Sequence, residues 1–176
     1  MNDAVFKMCI FGDGGVGKTT LTQKYVTGLF DGGTRMTIGA DFHIKILDIE
    51  GKRVALQIWD FAGERQFRFL LPSYVKGASG GIFMYDITRF SSLKNMDEWL
   101  DALSSELDTI NQVPIIMVGG KADLEDRRAV GADWVKQIVE EKNFAGFFEC
   151  SAKTGDNVEL IFETLTRLML QRAGII

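Results

Sequence analysis

Two kinds of hydrophobic pattern alternate along this chain of 176 residues. Short apolar runs and period-2 alternation are typical of strands, whereas apolar residues spaced three or four apart are typical of helices. The strand patterns predict strands at residues 5–11, 42–49, 53–59, 81–86, 114–119 and 147–150. The helical patterns predict helices at residues 18–27, about 92–107 and 132–142. A last helix is predicted from Asp156, where Glu159 gives the spacing of a capping box.

The order of these elements predicts the fold class. Continuous apolar strands that alternate with helices imply an α/β protein, in which helices cover both faces of a mostly parallel sheet. The strands at 42–49 and 53–59 flank Glu50-Gly51-Lys52, which is a hairpin signal and predicts one antiparallel edge strand. We therefore expect one domain over residues 1–176, with three layers, a six-stranded sheet and about five helices. Ligands of such sheets bind beyond the carboxyl ends of the strands.

Composition and charge narrow the function. The chain is 46% hydrophobic and 25% charged, as in ordinary globular proteins, and its net charge of −4 argues against nucleic acid as a partner. Cys9 and Cys150 are the only cysteines and show no disulfide or metal-binding spacing, so we expect a reducing, cytoplasmic environment. Because the sequence shows no signal peptide, membrane-spanning run or C-terminal prenylation motif, we expect no membrane association encoded in this chain.

The strongest chemical signal is Gly12-Asp13-Gly14-Gly15-Val16-Gly17-Lys18-Thr19. It fits the P-loop pattern G-x-x-x-x-G-K-[ST] and lies between a predicted strand and a predicted helix, which favours a P-loop NTPase fold over a chance Gly-rich turn. Glycines let backbone N–H groups converge on phosphate oxygens, and the helix N-terminus adds unpaired donors. We expect Lys18 to reach the terminal phosphates and the Thr19 hydroxyl to bind Mg²⁺. Further nucleotide contacts are expected from Gly14, Gly15, Val16, Gly17 and Thr20.

Four further motifs follow the P-loop in a fixed order. They are Thr37-Ile38-Gly39, Trp59-Asp60-Phe61-Ala62-Gly63-Glu64, Gly120-Lys121-Ala122-Asp123 and Ser151-Ala152-Lys153. Any one of these motifs is weak, but the ordered set resembles the Ras superfamily of small GTPases over nearly the whole chain. Residues 38–42, 56–60 and 85–88 resemble the Rab branch in particular.

The resemblance implies a role for each matched position. Thr37 would coordinate Mg²⁺ beside Thr19, and Asp60 would hold the ion through water. The N–H groups of Thr37 and Gly63 would contact the γ-phosphate, so losing it would release two switch loops, around residues 30–42 and 60–77. Asp123 would accept two hydrogen bonds from guanine that adenine cannot donate, which would reject ATP. The remaining base contacts would come from Phe30, Lys121, Ser151, Ala152 and Lys153.

The resemblance also implies protein partners. Effectors, an exchange factor and a GTPase-activating protein would bind the switch loops of a monomer. Phe42, Trp59 and Tyr74 match an aromatic trio that Rab-like proteins present to partners, and partly exposed aromatic rings make good anchors. The alternative is that these rings simply fill the sheet edge and the hairpin.

Glu64 departs from the family pattern, in which a Gln at this position orients the attacking water. The other expected catalytic residues, Lys18, Thr37 and Gly63, match the pattern. A carboxylate can orient water but cannot donate a hydrogen bond, and at roughly 4 Å it repels the γ-phosphate by about 4 kcal/mol. Two hypotheses stay open: Glu64 positions or activates the water, or it swings away and has no role.

Gly120 stands where the family has an Asn that contacts the base and braces the P-loop. Losing such a hydrogen bond costs about 1 kcal/mol, so we expect weaker nucleotide retention, a retained guanine preference and tighter GDP binding after Gly120→Asn.

Phe61 replaces a usual Thr and is expected to pack under the second switch loop. Arg35 and Arg65 are expected to be solvated loop residues rather than internal arginine fingers. His43 is expected to be an exposed strand residue rather than a catalyst.

These motifs together predict a guanine-nucleotide switch that depends on Mg²⁺, hydrolyses GTP slowly and signals to effectors. One alternative is a nucleotide-binding interaction module with negligible turnover, because of Glu64. Another is a P-loop kinase or ATPase, against which Asp123 and Ser151-Ala152-Lys153 argue.

Overall fold

The computed structural model describes residues 1–33, 36–103 and 113–176. The strands are β1 (Ala4–Phe11), β2 (Ala40–Ile49), β3 (Lys52–Phe61), β4 (Gly80–Asp86), β5 (Ile115–Gly120) and β6 (Gly146–Glu149). They form one six-stranded sheet in the order β2-β3-β1-β4-β5-β6. β2 runs antiparallel to β3, and the other four pairings are parallel. The predicted mostly parallel sheet with one antiparallel edge strand is confirmed.

Helices connect the strands across the described part of the chain. The α-helices are α1 (Lys18–Thr27), α2 (Leu71–Val75), α3 (Phe90–Lys94), α4 (Met96–Ala102), α5 (Ala132–Glu141) and α6 (Val158–Arg172). Two short 3₁₀ helices are Arg65–Leu70 and Ala122–Arg127. No helix within the described ranges is long and apolar enough to cross a membrane.

Side chains of the sheet alternate between two hydrophobic cores. On β1, Met8 and Ile10 belong to the core under α1 and α6, whereas Cys9 and Phe11 belong to the core under α2, α4 and α5. All four side chains are buried, and burial raises the pKa of the Cys9 thiol to about 12. Because helices cover both faces of the sheet, the central strands β1, β4 and β5 are mostly apolar and buried. The predicted three-layer α/β architecture is confirmed.

The predicted β2–β3 hairpin is confirmed, but its turn has two residues rather than three, because Lys52 already belongs to β3. Glu50 and Gly51 both have positive φ, 51° and 76°, which matches the type of tight turn whose twist suits a hairpin. The turn fixes the register that places Phe42 opposite Trp59. It thereby sets two members of the predicted aromatic trio side by side on neighbouring strands.

Three helical expectations need correction. The helix predicted at about 92–107 is divided at Asn95 into α3 and α4, and residues 104–107 lie outside the described residues. The capping box at Asp156 does not form, because α6 begins at Val158 after Asn157 and no side chain caps it. The Asp156 carbonyl instead accepts a hydrogen bond from the Ser151 N–H at 3.1 Å. The irregular loop predicted over residues 60–77 contains a 3₁₀ helix and α2.

Tyr25 of α1 stacks on Phe162 of α6, with ring centroids 3.9 Å apart and planes inclined by only 1°. Phe162 is fully buried, so we expect Phe162→Ala to lower the free energy of unfolding by about 3–5 kcal/mol through a lost side chain and a cavity. The measurement is urea denaturation of both proteins.

Phe90→Ala is the matched control, because Phe90 also stacks on a ring, that of Trp134, but is 46% exposed. We expect this variant to lose less than about 1 kcal/mol. Equal losses for the two variants would contradict the assignment of the α1–α6 contact to the core.

Candidate functional site

The P-loop, residues 12–19, joins the end of β1 to the start of α1. Gly17 has φ 107°, a conformation that side chains rarely adopt, and it precedes the first turn of α1. Gly63, which follows β3, lies so close to the loop that a Cβ on it would overlap the backbone of Asp13 and Gly14. Gly17 therefore has to be glycine because of its backbone conformation, and Gly63 because of its close approach to the P-loop backbone.

The Lys18 side chain is buried beneath the loop that it follows. Its ammonium group donates to the backbone carbonyls of Gly12 at 2.7 Å and Asp13 at 2.8 Å. Burial lowers the pKa of Lys18 to about 8, against the raising effect of the Asp60 and Glu64 carboxylates. The group therefore remains largely cationic at neutral pH, in a position that suits an anionic ligand.

The three residues predicted to hold a metal ion come together. The Thr19 hydroxyl lies 2.8 Å from the Thr37 hydroxyl and also hydrogen-bonds to Asp60 Oδ2. Asp60 is fully buried, burial raises its pKa to about 6, and its Oδ1 has no hydrogen-bond partner among the described residues. Two hydroxyls and a carboxylate are the hard oxygen donors that Mg²⁺ prefers, so the set fits that ion.

Within the described ranges, no group of three or more His, Cys, Asp or Glu side chains could hold a metal ion. Because Mg²⁺ is octahedral, an ion held by Thr19, Thr37 and Asp60 would depend on further oxygen atoms from a ligand or from water. This dependence is typical of Mg²⁺ in phosphate-binding sites, where one or two protein ligands share the ion with phosphate groups.

One cavity of about 630 Å³ brings most of the predicted residues together at the carboxyl ends of the strands. From the predicted set it is lined by Gly14, Gly15, Val16, Gly17, Lys18, Thr19, Thr20, Phe30, Thr37, Gly63, Glu64, Lys121, Asp123, Ala152 and Lys153. Ser151 is buried behind Asp123 and Asp60 behind Thr19, so neither lines the cavity. A volume of this size is ordinary for a small-molecule site.

At the end of the cavity away from Thr37 and Asp60, the loop after β5 is hydrogen-bonded to the loop after β6. Ser151 Oγ donates to the Asp123 carboxylate at 2.8 Å. The Lys121 ammonium group reaches back to the Gly15 carbonyl at 2.9 Å and pairs with the buried Asp86 carboxylate at 2.9 Å. The carboxylate predicted to recognise the base is therefore oriented by a hydroxyl, and its loop is tied to the P-loop.

Arg128 braces these two loops from behind. Its guanidinium group makes paired hydrogen bonds of 2.7–2.8 Å to Glu125 and of 2.7 Å to Glu149. These two hydrogen-bonded carboxylates raise the pKa of Arg128. Glu125 follows Asp123 by two residues and Glu149 precedes Ser151 by two, so the brace fixes the spacing of the base-proximal loops.

Glu64 faces the P-loop rather than solvent. Its Oε1 lies 2.8 Å from where a Cβ on Gly14 would stand, and its Oε2 is buried with no hydrogen-bond partner in the described part of the chain. Glu64 is therefore not swung away from the P-loop, and its role in positioning or activating water stays a prediction.

The Asp13 carboxylate links the P-loop to the segment after Gly63. It accepts hydrogen bonds from Trp99 Nε1 at 2.8 Å and Asn95 Nδ2 at 2.7 Å, and it pairs with Arg68 at 3.4 Å. The Arg68 guanidinium group lies 4.4 Å from the centre of a Trp99 ring and also pairs with Glu98 at 2.8 Å. This contact set holds the 3₁₀ helix Arg65–Leu70 against the P-loop.

The aromatic trio forms a continuous row. Ring centroids are 5.0 Å apart for Phe42 and Trp59 and 5.6 Å apart for Trp59 and Tyr74. Phe42 is 45% exposed, and Trp59 and Tyr74 are half-buried. Phe61 is buried and packs on Tyr74 at 5.6 Å, so its expected position under the second switch loop is confirmed.

Some of the single-residue expectations need revision. His43 is half-buried rather than exposed, because its strand turns it inward, and its Nε2 is buried without a hydrogen-bond partner in the ranges described. Arg65 is solvated as expected, and it pairs with Glu98 at 3.1 Å. Arg35 lies outside the described residues. The tighter GDP binding expected for Gly120→Asn now depends on a rearrangement, because a Cβ on Gly120 would overlap Met84 Cε.

Other cavity residues were missed by sequence reasoning. Met84 and Leu124 line the cavity, and Arg89 donates to the Gly14 carbonyl at 2.7 Å from outside it. Met84 is one apolar residue in a strand of apolar residues, so its pattern carries no sign of a cavity contact. Leu124 and Arg89 follow strand ends, which is the one signal that could have identified them.

Comparison with known proteins gives the same answer as the motifs. The Ras family profile matches residues 7–171. The chain is 40% identical over 171 residues to human Ras-related protein Rab-30, covering 97% of the chain and 83% of that protein. It is 39% identical over 163 residues to Ras-related protein RABA5b of Arabidopsis thaliana, covering 93% and 74%. It is 37% identical over 172 residues to GTP-binding protein ypt1 of Schizosaccharomyces pombe, covering 98% and 83%.

The matched stretch runs from β1 into α6 and contains every residue that lines the cavity. The predicted resemblance is therefore confirmed in both its family and its branch. The chain belongs to the Ras family and is a Rab-like small GTPase.

Proposed function

We propose that residues 1–176 act as one G domain, a monomeric, cytoplasmic switch that binds GTP or GDP with Mg²⁺ and hydrolyses GTP slowly. The observation that carries the proposal is the single cavity that joins a buried cation, Lys18, to the oxygen cluster around Asp60 and to the oriented Asp123 carboxylate. The residues proposed to bind phosphate, metal and base thus meet at one cavity, at the carboxyl edge of the sheet where such ligands bind. The Rab names of its relatives favour a role in vesicle traffic.

At the phosphate end, each proposed group has a distinct task. Lys18 binds the terminal phosphates as a fixed cation, since its pKa of about 8 keeps it protonated. Gly14, Gly15, Val16, Gly17 and Thr20 surround the phosphate chain. Thr19 and Thr37, together with Asp60 through water, would hold Mg²⁺, which would neutralise negative charge on the phosphate groups.

At the base end, Asp123 accepts hydrogen bonds from the N1–H and N2–H₂ edge of guanine, while Ser151 keeps its carboxylate in place. Phe30, Lys121, Ala152 and Lys153 complete the walls around the base. A site built to satisfy a donor pair rejects the analogue that lacks it, so guanine is preferred over adenine.

The switch lies in the two segments that meet at the phosphate end, residues 30–42 and 60–77. Thr37 contacts Thr19, and Gly63 presses on the P-loop, so both segments depend on what the P-loop holds. Losing the γ-phosphate releases them. Phe42 and Tyr74 belong to these segments, and Trp59 contacts both rings. This aromatic row anchors effectors, an exchange factor and a GTPase-activating protein.

Hydrolysis depends on Glu64, which lies beside the P-loop and orients or activates the attacking water, together with Lys18, Thr37 and Gly63. The second candidate function is a nucleotide-binding interaction module that does not turn over. It is favoured by the same side chain, because a carboxylate beside the γ-phosphate repels it and cannot donate a hydrogen bond.

Asp123→Ala tests the base assignment. Removing the acceptor of two hydrogen bonds should weaken GTP binding by about 100-fold or more and leave the much weaker ATP binding unchanged. The measurement is displacement of fluorescent N-methylanthraniloyl-GDP by unlabelled GTP and ATP.

Asp126→Ala is the control, because Asp126 is an exposed carboxylate in the same short 3₁₀ helix. We expect it to match the wild type for both nucleotides. Equal displacement of the probe by ATP and GTP from the wild type would contradict the guanine proposal and favour an ATPase or kinase.

Glu64→Ala separates the two candidate functions. If Glu64 positions the water, single-turnover GTP hydrolysis should slow by about tenfold or more while GDP affinity is kept. The exposed Gln66→Ala is the control and should hydrolyse at the wild-type rate. Unchanged hydrolysis in Glu64→Ala would remove Glu64 from the mechanism, and no hydrolysis in the wild type would favour the interaction module.

A further inference from the structure

Met84 reaches the nucleotide cavity from below. It belongs to β4, it is only 2% exposed, and its side chain lines the cavity beside the P-loop. Its Cε lies 3.5 Å from where a Cβ on Gly17 would stand, which is ordinary contact distance. The methyl group therefore packs against the backbone at the point where the P-loop enters α1.

The same methyl group takes the space of the missing side chain at position 120. A Cβ on Gly120 would overlap Met84 Cε and would lie 3.1 Å from the Val16 carbonyl oxygen. The backbone of Gly120 does not have a positive φ, so conformation leaves the position open to other residues and only the space is taken. An unbranched thioether is well suited to fill an irregular gap of this kind.

We propose that Met84 and Gly120 form one coupled determinant of nucleotide retention. The methyl group of Met84 seals the junction between the P-loop and the base end by apolar contact, in place of a side chain at position 120. This rests on the proposed guanine-nucleotide site. A side chain at position 120 has to displace this methyl group from the gap, and it also has to fit beside the Val16 carbonyl oxygen, which lies 3.1 Å from the position of its Cβ.

The test is a double-mutant cycle on the release of N-methylanthraniloyl-GDP, measured after a chase with excess GDP. Met84→Val shortens the side chain and should speed release by about threefold through lost packing. Gly120→Asn should slow release in both backgrounds to different extents. The ratio of release rates without and with Gly120→Asn should be at least about fivefold larger in the Met84→Val protein than in the wild type, on the order of 1 kcal/mol of coupling. Equal factors in the two backgrounds would overturn the proposal.

Met117→Val is the matched control, because Met117 is an equally buried methionine on β5 that packs into the opposite core, outside the cavity. It should lower the melting temperature as Met84→Val does, but it should change neither the release rate nor the response to Gly120→Asn. Equal effects of the two methionine changes on release would also overturn the proposal.

Gly120→Ala guards against misfolding of the Asn variant, because it adds only the Cβ. Gly120→Ala should likewise slow release more, or speed it less, in the Met84→Val protein than in the wild type. An equal effect of Gly120→Ala on release in the two backgrounds would count against the coupling. Failure of the wild type to retain the fluorescent GDP would refute the proposed function itself. Retention without coupling would refute only the role of Met84 and Gly120.

Discussion

The buried ammonium group of Lys18 is the interaction on which the rest of the site depends. Taking a cation out of water costs several kcal/mol, and here two P-loop carbonyls and the nearby carboxylates of Asp60 and Glu64 offset that cost. Asp60 also contacts Thr19, and Glu64 belongs to the segment after β3, so the charge of Lys18 interacts with both parts of the site.

Around this centre, two of the three departures from the family pattern, Phe61 and Gly120, leave apolar packing where the family has a polar side chain. Phe61, in place of a Thr, fills the core under the second switch segment through its contact with Tyr74. Met84 fills the space beside Gly120. Lys18 and Asp123, to which we assign phosphate binding and guanine preference, both line the cavity.

The fold was largely predictable from the sequence, because buried strands and α1 have strong periodic patterns and Glu50-Gly51 suits only a tight turn. In the cluster of Thr19, Thr37 and Asp60, the P-loop motif predicted Thr19, whereas Thr37 and Asp60 were predictable only through resemblance. The helices within residues 60–77 were missed because their position depends on contacts such as that of Arg68 with Asp13, which no local pattern encodes. The role of Met84 was missed for the same reason: side-chain direction at the end of a strand is set by tertiary packing.

Chromatography of the nucleotide held by the purified protein tests the central claim most directly. The protein is loaded with GTP and Mg²⁺, separated from free nucleotide, incubated for a series of times and denatured to release what it holds. The account predicts that guanine nucleotide stays bound and that GTP is converted slowly to GDP in a first-order process. Absence of retained guanine nucleotide would contradict the account, and GTP that stays intact at all times would contradict its claim of hydrolysis.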